Sequence, residues 1–407
     1  MTAQAKLAQR DSEPPPAMGG ASHRPVVMQV LPSLATGGVE RGTIDVAAAV
    51  VAAGGKAVVV SSGGQMVREL ERAGAVHVQL PVHSKNPLVM YRNVARLGGL
   101  IDEHGVDILH ARSRAPAWSA WRAAKAKKVA FVTTFHGTYG HSNLIKRRYN
   151  SVMLKGDRVI AISHFIADHL REVYGLDDPE RVRVIHRGID IDVFAPERVT
   201  PERLIALAEH WRVTEGMPIV MLPGRLTSWK GQKLLIEALA LLGRNDIRCL
   251  LVGSDQGRHA YRRSLDNLIE RRGLTGVVQI ADHCRDMPAA YMLADVVVSA
   301  STDPEAFGRV AAEAQAMGRP VVASNHGAAR ETVVANKTGL LFTPGDAEAL
   351  SLAIAETLSL DADAREALAA EAIAHIRANF TKEQMCAETL ALYRELMEER
   401  AAAQAAP

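Results

Sequence analysis

Two carboxylates flank the start of a predicted helix in the second half of the chain. Glu305 lies in a loop and Glu313 lies eight residues later on the helix, with Phe307-Gly308 between them. Carboxylates accept hydrogen bonds from hydroxyls, and the free N–H groups at a helix N-terminus donate to phosphate oxygens. This arrangement could therefore bind a ligand that carries both hydroxyls and phosphate. The alternative is that two glutamates simply solvate a helix.

Two cations follow another predicted strand, in the string G-R-L-T-S-W-K-G. Arg225 can fork onto two phosphate oxygens, and Lys230 supplies a compact point charge. A lysine at a helix N-terminus opposes the helix dipole, so we expect an anion nearby. The chemistry that this pair favours is stabilisation of a departing diphosphate, and the alternative is a charge cluster at a helix start.

Two further candidates lie in the first half of the chain. Gly37-Gly38 separates a strand from a helix, and glycine lets the backbone come close to a phosphate, although a tight turn would favour it too. His136 follows an apolar strand and precedes a glycine, which places it for a ligand; a lone histidine is more often structural. Neither a dinucleotide fingerprint nor a P-loop follows the first strand.

Taken together, these motifs resemble family 4 of the retaining glycosyltransferases, which have two Rossmann-like domains in the GT-B architecture. The resemblance covers Val26 to Arg400. Three motifs occur in the family's order and spacing, G-G-x-E, G-R-x4-K-G and E-x7-E, and T-F-H-G also resembles a motif of the family. There are two departures. Arg187 stands where the family often has Asn before Gly-Ile-Asp, and Asp255 replaces the second glycine of a V-G-x-G loop.

The resemblance implies roles for individual residues. Arg225 and Lys230 would bind the diphosphate, Glu305 the donor-sugar hydroxyls and Glu313 the ribose, and His136 would face the donor sugar. The predicted catalytic residues are therefore Glu305, Arg225, Lys230 and His136. The predicted donor-binding residues are Gly37, Gly38, Gly253, Ile280, Phe307, Gly308, Val310 and Glu313, with Ile280 where the family recognises the base.

Strict alternation of apolar strands with helices predicts an α/β protein with two doubly wound, Rossmann-like domains facing a cleft. Five segments are predicted: a disordered tail over 1–24, an acceptor domain over 25–195, a linker over 196–218, a donor domain over 219–379, and a helix over 380–400 that crosses back to the first domain. Ligands at such sheets bind at the carboxyl ends of strands.

Composition excludes several classes of protein. The 407 residues contain three cysteines without C-x-x-C spacing, which argues against a zinc site and a disulfide framework. The sequence contains no long uncharged apolar run, so we expect no membrane-spanning helix. The N-terminus does not resemble a secretory signal. The Asp190-x-Asp192 pair lies in a domain-closing segment and is interpreted as structural, so no metal and no cofactor beyond the nucleotide-sugar cosubstrate is expected. We predict a cytoplasmic location.

The positive charge is concentrated in one segment. Residues 110–158 carry eleven Lys and Arg residues against one acid, so this segment has a charge of +10 and the remainder −7. This asymmetry favours an anionic acceptor or an anionic membrane surface on the inner face of the plasma membrane as partner. A solvated helix face is the alternative, and a nucleic-acid partner is not expected.

The sequence therefore predicts a retaining, metal-independent glycosyltransferase that uses a UDP- or GDP-sugar and a glycan or lipid-linked acceptor. Lipopolysaccharide core or another cell-surface polysaccharide is the expected product. A UDP-sugar epimerase and a non-catalytic nucleotide-sugar-binding protein are the alternatives; the first would need no acceptor.

Overall fold

The computed structural model describes residues 24–139, 144–213 and 216–405. Contacts divide these into two compact units. The first contains the described residues up to Arg187 and those from Glu383 onward, and the second is Gly188–Lys382. The tail predicted over 1–24 lies outside the described residues except for Arg24.

The first unit is a seven-stranded parallel sheet with helices between its strands, in the order β3-β2-β1-β4-β5-β6-β7. Its strands are β1 (Val26–Val30), β2 (Lys56–Ser61), β3 (Val76–Gln79), β4 (Ile108–Ala111), β5 (Ala130–Phe135), β6 (Arg158–Ala161) and β7 (Val182–Val184). Its helices are α1 (Gly38–Ala52), α2 (Val67–Arg72), α3 (Pro87–His104), α4 (Arg114–Lys127), α5 (Leu144–Asn150) and α6 (His164–Tyr174), with a 3-10 turn at Ser151–Leu154.

The second unit has a six-stranded parallel sheet in the order β10-β9-β8-β11-β12-β13. Its strands are β8 (Ile219–Pro223), β9 (Arg248–Val252), β10 (Val278–Ala281), β11 (Val296–Ser299), β12 (Val321–Ser324) and β13 (Leu340–Phe342). Its helices are α7 (Pro201–Trp211), α8 (Gln232–Leu242), α9 (His259–Arg271), α10 (Met287–Leu293), α11 (Arg309–Ala316), α12 (Ala329–Thr332), α13 (Ala347–Leu358) and α14 (Ala362–Asn379). The predicted fold class, two doubly wound parallel sheets, is confirmed.

The strands of both sheets are largely apolar and buried. Every residue of β1, β4, β5 and β8 is buried, as expected for parallel strands covered on both faces. In each sheet the strand order reverses beside the first strand, between β1 and β4 and between β8 and β11. In open parallel sheets, the loops that leave the strands at such a point diverge, and ligands commonly bind in the crevice between them.

The segments predicted to join the two domains have structure of their own. Residues 196–218, which the sequence assigns to a linker, include α7, which packs against α10 and buries Trp211 within the second unit. The final helix, α15 (Lys382–Ala405), starts two residues later than the predicted position. Thr381 instead forms a parallel bridge with Ile189, and the Phe380 ring packs on Phe307 with centroids 5.8 Å apart.

Helix α15 completes the core of the first unit. Its apolar face contributes Cys386, Leu390, Tyr393 and Leu396 to the cluster around β1 and α1. The Tyr393 hydroxyl lies 2.6 Å from His110 Nδ1, while His110 Nε2 lies 2.7 Å from the Thr134 hydroxyl. Both ring nitrogens of a fully buried histidine are thereby satisfied.

Tyr393→Phe is expected to destabilise the first unit by about 1–3 kcal/mol, because it leaves a buried ring nitrogen of His110 without a partner. The measurement is thermal or urea unfolding. Tyr91→Phe is the matched control, since Tyr91 is 75% exposed. Equal stability of the two variants would show that the hydrogen bond to His110 contributes nothing.

Among the described residues, none of the helices is both long and apolar enough to cross a bilayer.

Candidate functional site

The loops after β8 and β11 meet at the switch point of the second sheet. Strand β8 pairs with β11 in parallel register, with Val220 beside Val296 and Met221 beside Val297. The chain leaves β8 through Gly224 and Arg225, and it leaves β11 through Ala300 and Ser301. Two segments far apart in sequence are thereby brought to one edge.

Lys230 and Glu305 form an ion pair across this edge. Lys230 Nζ lies 2.7 Å from Glu305 Oε1, and the two side chains are only 13% and 16% exposed. The Ser301 hydroxyl donates to the same carboxylate oxygen. An ammonium held in a partly desolvated position attracts a phosphate more strongly than one in bulk water does.

Backbone contacts fix the geometry of this pair. The Thr302 N–H donates to the Trp229 carbonyl at 2.8 Å, and the Ala328 N–H donates to the Glu305 carbonyl at 2.9 Å. Gly231 has a φ of +79°, and a Cβ placed there would lie 1.9 Å from the Ala300 carbonyl oxygen. Only glycine therefore lets the Lys230 loop approach the Glu305 loop so closely.

Arg225 and Gly253 lie on the loops that leave β8 and β9, on either side of Gly224, where an added Cβ would lie 3.6 Å from the Lys230 side chain. The Arg225 side chain is exposed, and its carbonyl accepts a 3.0 Å hydrogen bond from the buried Gln232 amide. A Cβ on Gly253 would lie 2.0 Å from the Gly224 carbonyl oxygen, so the loops after β8 and β9 touch through their backbones. Ile280 lies in β10, which pairs with β9, and is partly buried.

Helix α11 begins at the same edge. Gly308 precedes it in the left-handed conformation, with φ +79°, and leaves the first N–H groups of the helix without a side-chain cap. Phe307 is buried at 3% exposure, whereas Val310 is partly buried. The helix N-terminus is therefore shaped to bind an anion through its backbone.

The Glu313 carboxylate is buried and bonded on both oxygens. Its Oε2 accepts from the Tyr291 hydroxyl at 2.9 Å, and its Oε1 accepts from Arg309 Nε and Nη2 at 3.0 and 2.6 Å. Burial raises the pKa of Tyr291 well above its ordinary value, and the Glu313 charge raises it further. Glu313 is therefore a rigidly oriented acceptor.

In the first unit, His136 extends the carboxyl end of β5. The Arg187 Nη2 atom lies 2.8 Å from His136 Nδ1, so the residue that departs from the family pattern holds this histidine. Gly37 and Gly38 lie at the start of α1, after β1 at the switch point of the same sheet. A Cβ on Gly37 would come within 2.5 Å of the Glu40 carboxylate.

Two histidines of the first unit are held neutral. Burial lowers the pKa of His110 well below its ordinary value, and Arg112 lowers it further. Burial also lowers the pKa of His136, with contributions from Arg187, Arg112 and His110. A histidine whose pKa is lower in the folded than in the unfolded chain binds a proton on unfolding, so stability is lost as the pH falls below the unfolded pKa.

We therefore expect the free energy of unfolding of the first unit to fall between pH 7 and pH 5, by at most about 1.4 kcal/mol per pH unit for each histidine. The measurement is hydrogen exchange of the β4 and β5 amides as a function of pH. His136→Asn should reduce the slope, whereas His83→Asn, at an exposed turn position before α3, should not. An unchanged slope in His136→Asn would contradict the assignment.

Sequence reasoning missed several partners. Ser301, Tyr291 and Arg309 bind the two glutamates, yet only Arg309 carried a signal, the i, i+4 spacing to Glu313. The Arg187–His136 contact joins residues 51 positions apart, and nothing local marks it.

The remaining acidic candidates have partners within the second unit. Asp190 pairs with Lys382 at 2.7 Å, and Asp192 pairs with Arg198 at 3.0 Å. Asp255, which replaces a family glycine, accepts from the Gly257 N–H at 3.0 Å and lies 2.8 Å from His259 Nδ1. These contacts give each of the three carboxylates a structural role.

Each of the two units matches a known family domain. Residues 36–193 match the Glycosyltransferase Family 4 domain, and residues 207–375 match the Glycosyl transferases group 1 domain. A D-inositol 3-phosphate glycosyltransferase of Xylanimonas cellulosilytica is 29% identical over 318 residues, 73% of each chain. A GDP-mannose-dependent monoacylated alpha-(1-6)-phosphatidylinositol monomannoside mannosyltransferase of Corynebacterium glutamicum is 28% identical over 70% of this chain and 76% of its own.

Solved structures agree with these matches. The crystal structure of a glycosyltransferase from Rickettsia africae is 40% identical, with a TM-score of 0.86 over 92% of this chain and 99% of its own. The Anabaena protein HepE, crystallised with UDP and glucose, is 25% identical, with a TM-score of 0.77 over 94% of this chain and 100% of its own. The chain therefore belongs to the family 4 glycosyltransferases.

Proposed function

We propose that this glycosyltransferase is retaining and metal-independent, and that it moves a sugar from a nucleotide-sugar donor to a glycan or lipid-linked acceptor of the cell surface. The observation that carries the proposal is the Lys230–Glu305 pair at the switch point, beside Arg225 and the N-terminus of α11. This edge combines cations, backbone donors and carboxylate acceptors, the groups that a sugar diphosphate requires.

The mechanism follows from these charges. A donor diphosphate would draw Lys230 from Glu305 and bind Arg225 together with the N–H groups after Gly308, so that charge on the leaving group is stabilised as the glycosidic bond breaks. Glu305, released from the ion pair, would accept from hydroxyls of the donor sugar, and Glu313 from the ribose. Protein cations would supply the positive charge at the diphosphate, so no metal is required. The acceptor hydroxyl would attack the face from which the diphosphate leaves and pass its proton to the departing diphosphate, and attack on that face retains the anomeric configuration.

The relatives support a choice of donor and acceptor for this chain. HepE binds UDP and glucose, and the Corynebacterium glutamicum mannosyltransferase depends on GDP-mannose, so a UDP- or GDP-sugar is the proposed cosubstrate. The two curated relatives act on an inositol phosphate and on a phosphatidylinositol mannoside, which supports an anionic acceptor. Lipopolysaccharide core is one such cell-surface acceptor, and we keep it as the proposed biological context.

Helix α5 supports contact with an anionic membrane surface. Leu144 and Ile145 are 82% and 81% exposed, and Lys146-Arg147-Arg148 follows them directly. Exposed apolar side chains beside clustered cations are typical of segments that lie on anionic lipid. We therefore propose that residues 110–158 bring the protein to the membrane or to a lipid-linked acceptor.

The function is tested by incubating the chain with UDP-glucose, GDP-mannose and related donors, each with and without sugar acceptors, in EDTA. Proton NMR of the product gives the anomeric configuration. We expect transfer that requires an acceptor, persists in EDTA and keeps the α configuration of the donor. An inverted product would contradict retention, and loss of activity in EDTA that magnesium restores would contradict metal independence. An epimer released without acceptor would support the epimerase alternative.

A further inference from the structure

Three strand ends of the first unit bring cations and a histidine to one crevice. Arg112 follows β4, His136 follows β5, and Arg187 follows the β7 segment. All three line the crevice together with Gly42, Thr134 and Thr389, and the rest of the lining is apolar. Arg112 is only 5% exposed, and its Nε atom has no hydrogen-bond partner among the described residues. A buried guanidinium with an unused donor is costly unless an acceptor reaches it.

The contact with Arg187 determines which nitrogen of His136 carries the proton. A guanidinium can only donate, so His136 Nδ1, 2.8 Å from Arg187 Nη2, must accept. In the neutral ring the proton is then on Nε2. This Nε2–H is buried and, within the described part of the chain, has no partner. A second unused donor therefore lies in the same crevice.

The charge of the crevice is positive. Arg112 and Arg187 carry two positive charges, while burial keeps His110 and His136 neutral. Asp45 is the acid whose charge acts on Arg112. The volume of the crevice is about 20 Å³, which admits one water-sized group. A single oxygen fits, whereas a whole phosphate does not.

We propose that this crevice is the subsite for an anionic group of the acceptor, in which one oxygen of a phosphate or carboxylate accepts from His136 Nε2–H and from the Arg112 and Arg187 guanidinium groups. The rest of the anionic group lies at the mouth of the crevice. The inference rests on the proposed function, because it assigns the oxygen to the acceptor. It places His136 at the acceptor, whereas the family resemblance implies that this histidine faces the donor sugar. It gives Arg187 a double role: it positions the His136 ring and supplies charge.

The test is calorimetric titration of the full chain with three probes: glucose 6-phosphate, glucuronate and neutral glucose. We expect at least one charged sugar to bind, and glucose to bind at least about tenfold more weakly. Arg187→Asn, which installs the residue that the family often has, should weaken charged-sugar binding by a similar factor. Arg187→Lys should restore part of it, since it keeps the charge but not the fork. Arg92→Asn, on the exposed face of α3, is the control and should change nothing.

Two further variants separate the possible failures. His136→Phe removes the Nε2 donor by an independent route, should Arg187→Asn fail to fold. Lys230→Ala should leave charged-sugar binding intact, because Lys230 belongs to the donor edge of the other unit. Equal affinity for glucose and the charged sugars, no binding, or binding unchanged in Arg187→Asn and His136→Phe would overturn the subsite. A UDP or GDP titration of the same samples tests the donor site separately, so the subsite can fail while nucleotide binding persists, and the reverse.

Discussion

Lys230→Ala is expected to lower the rate of sugar transfer by about 10²–10³-fold, the usual cost of removing one group that stabilises transition-state charge. The ammonium lies 2.7 Å from Glu305 in a position that is 13% exposed, so its charge is poorly screened and close to where the diphosphate would bind. The loss should appear in kcat as well as in kcat/KM, because charge on the leaving group grows as the bond breaks.

Lys233→Ala is the matched control for this prediction. Lys233 lies three residues away on the exposed side of α8, where its ammonium sits 5.5 Å from the centre of the Tyr261 ring. It should keep wild-type kinetics. If both variants kept wild-type rates, the loops after β8 and β11 would not form the donor site.

Gly231→Ala is expected to produce the largest loss of stability, about 2–5 kcal/mol in the second unit. The left-handed backbone at φ +79° costs a non-glycine residue roughly 1–2 kcal/mol. The new Cβ would also lie 1.9 Å from the Ala300 carbonyl, which forces the two loops apart at a further cost of about 1–3 kcal/mol. Because these loops hold Lys230 and Glu305, transfer should fall as well. Thermal unfolding and steady-state rates measure the two effects.

Gly243→Ala separates the two causes. Gly243 ends α8 in the same left-handed region, with φ +66°, but a Cβ there meets no atom within 4 Å. Gly243→Ala should lower the free energy of unfolding only by the cost of a left-handed backbone, about 1–2 kcal/mol, and should leave activity unchanged. If the two variants lowered the free energy of unfolding equally, the close approach of Gly231 to Ala300 would not contribute to the loss of stability.

The sheets could be predicted because their strands are short, apolar and separated by helical patterns. The run Val296–Ser299 and the run Ile219–Pro223 are strands in the structure, as their β-branched and buried residues require. Parallel pairing then places the loops that follow them at one edge, so the meeting of Lys230 with Glu305 follows from topology. The exact distance does not, because it depends on Gly231 and the loop hydrogen bonds.

Long-range polar contacts could not be predicted. Tyr291 reaches Glu313 across 22 residues, and Tyr393 reaches His110 across 283, and neither pair has a local pattern. Tertiary contacts also move the start of α15 from the predicted residue 380 to Lys382, because Phe380 packs on Phe307 and Thr381 pairs with Ile189. Tertiary packing determines where such a helix begins, and the hydrophobic periodicity of the sequence does not reveal that packing.

We propose that the loops after β8 and β11 bind the diphosphate of a nucleotide sugar. The most direct measurement is calorimetric titration of the full chain with UDP and GDP in EDTA, repeated with Arg225→Ala, Lys230→Ala and Lys233→Ala. We expect one nucleotide to bind at one site per chain. Arg225→Ala and Lys230→Ala should each weaken its binding at least about tenfold, and Lys233→Ala should not. Failure of both nucleotides to bind, or equal binding by all three variants, would contradict it.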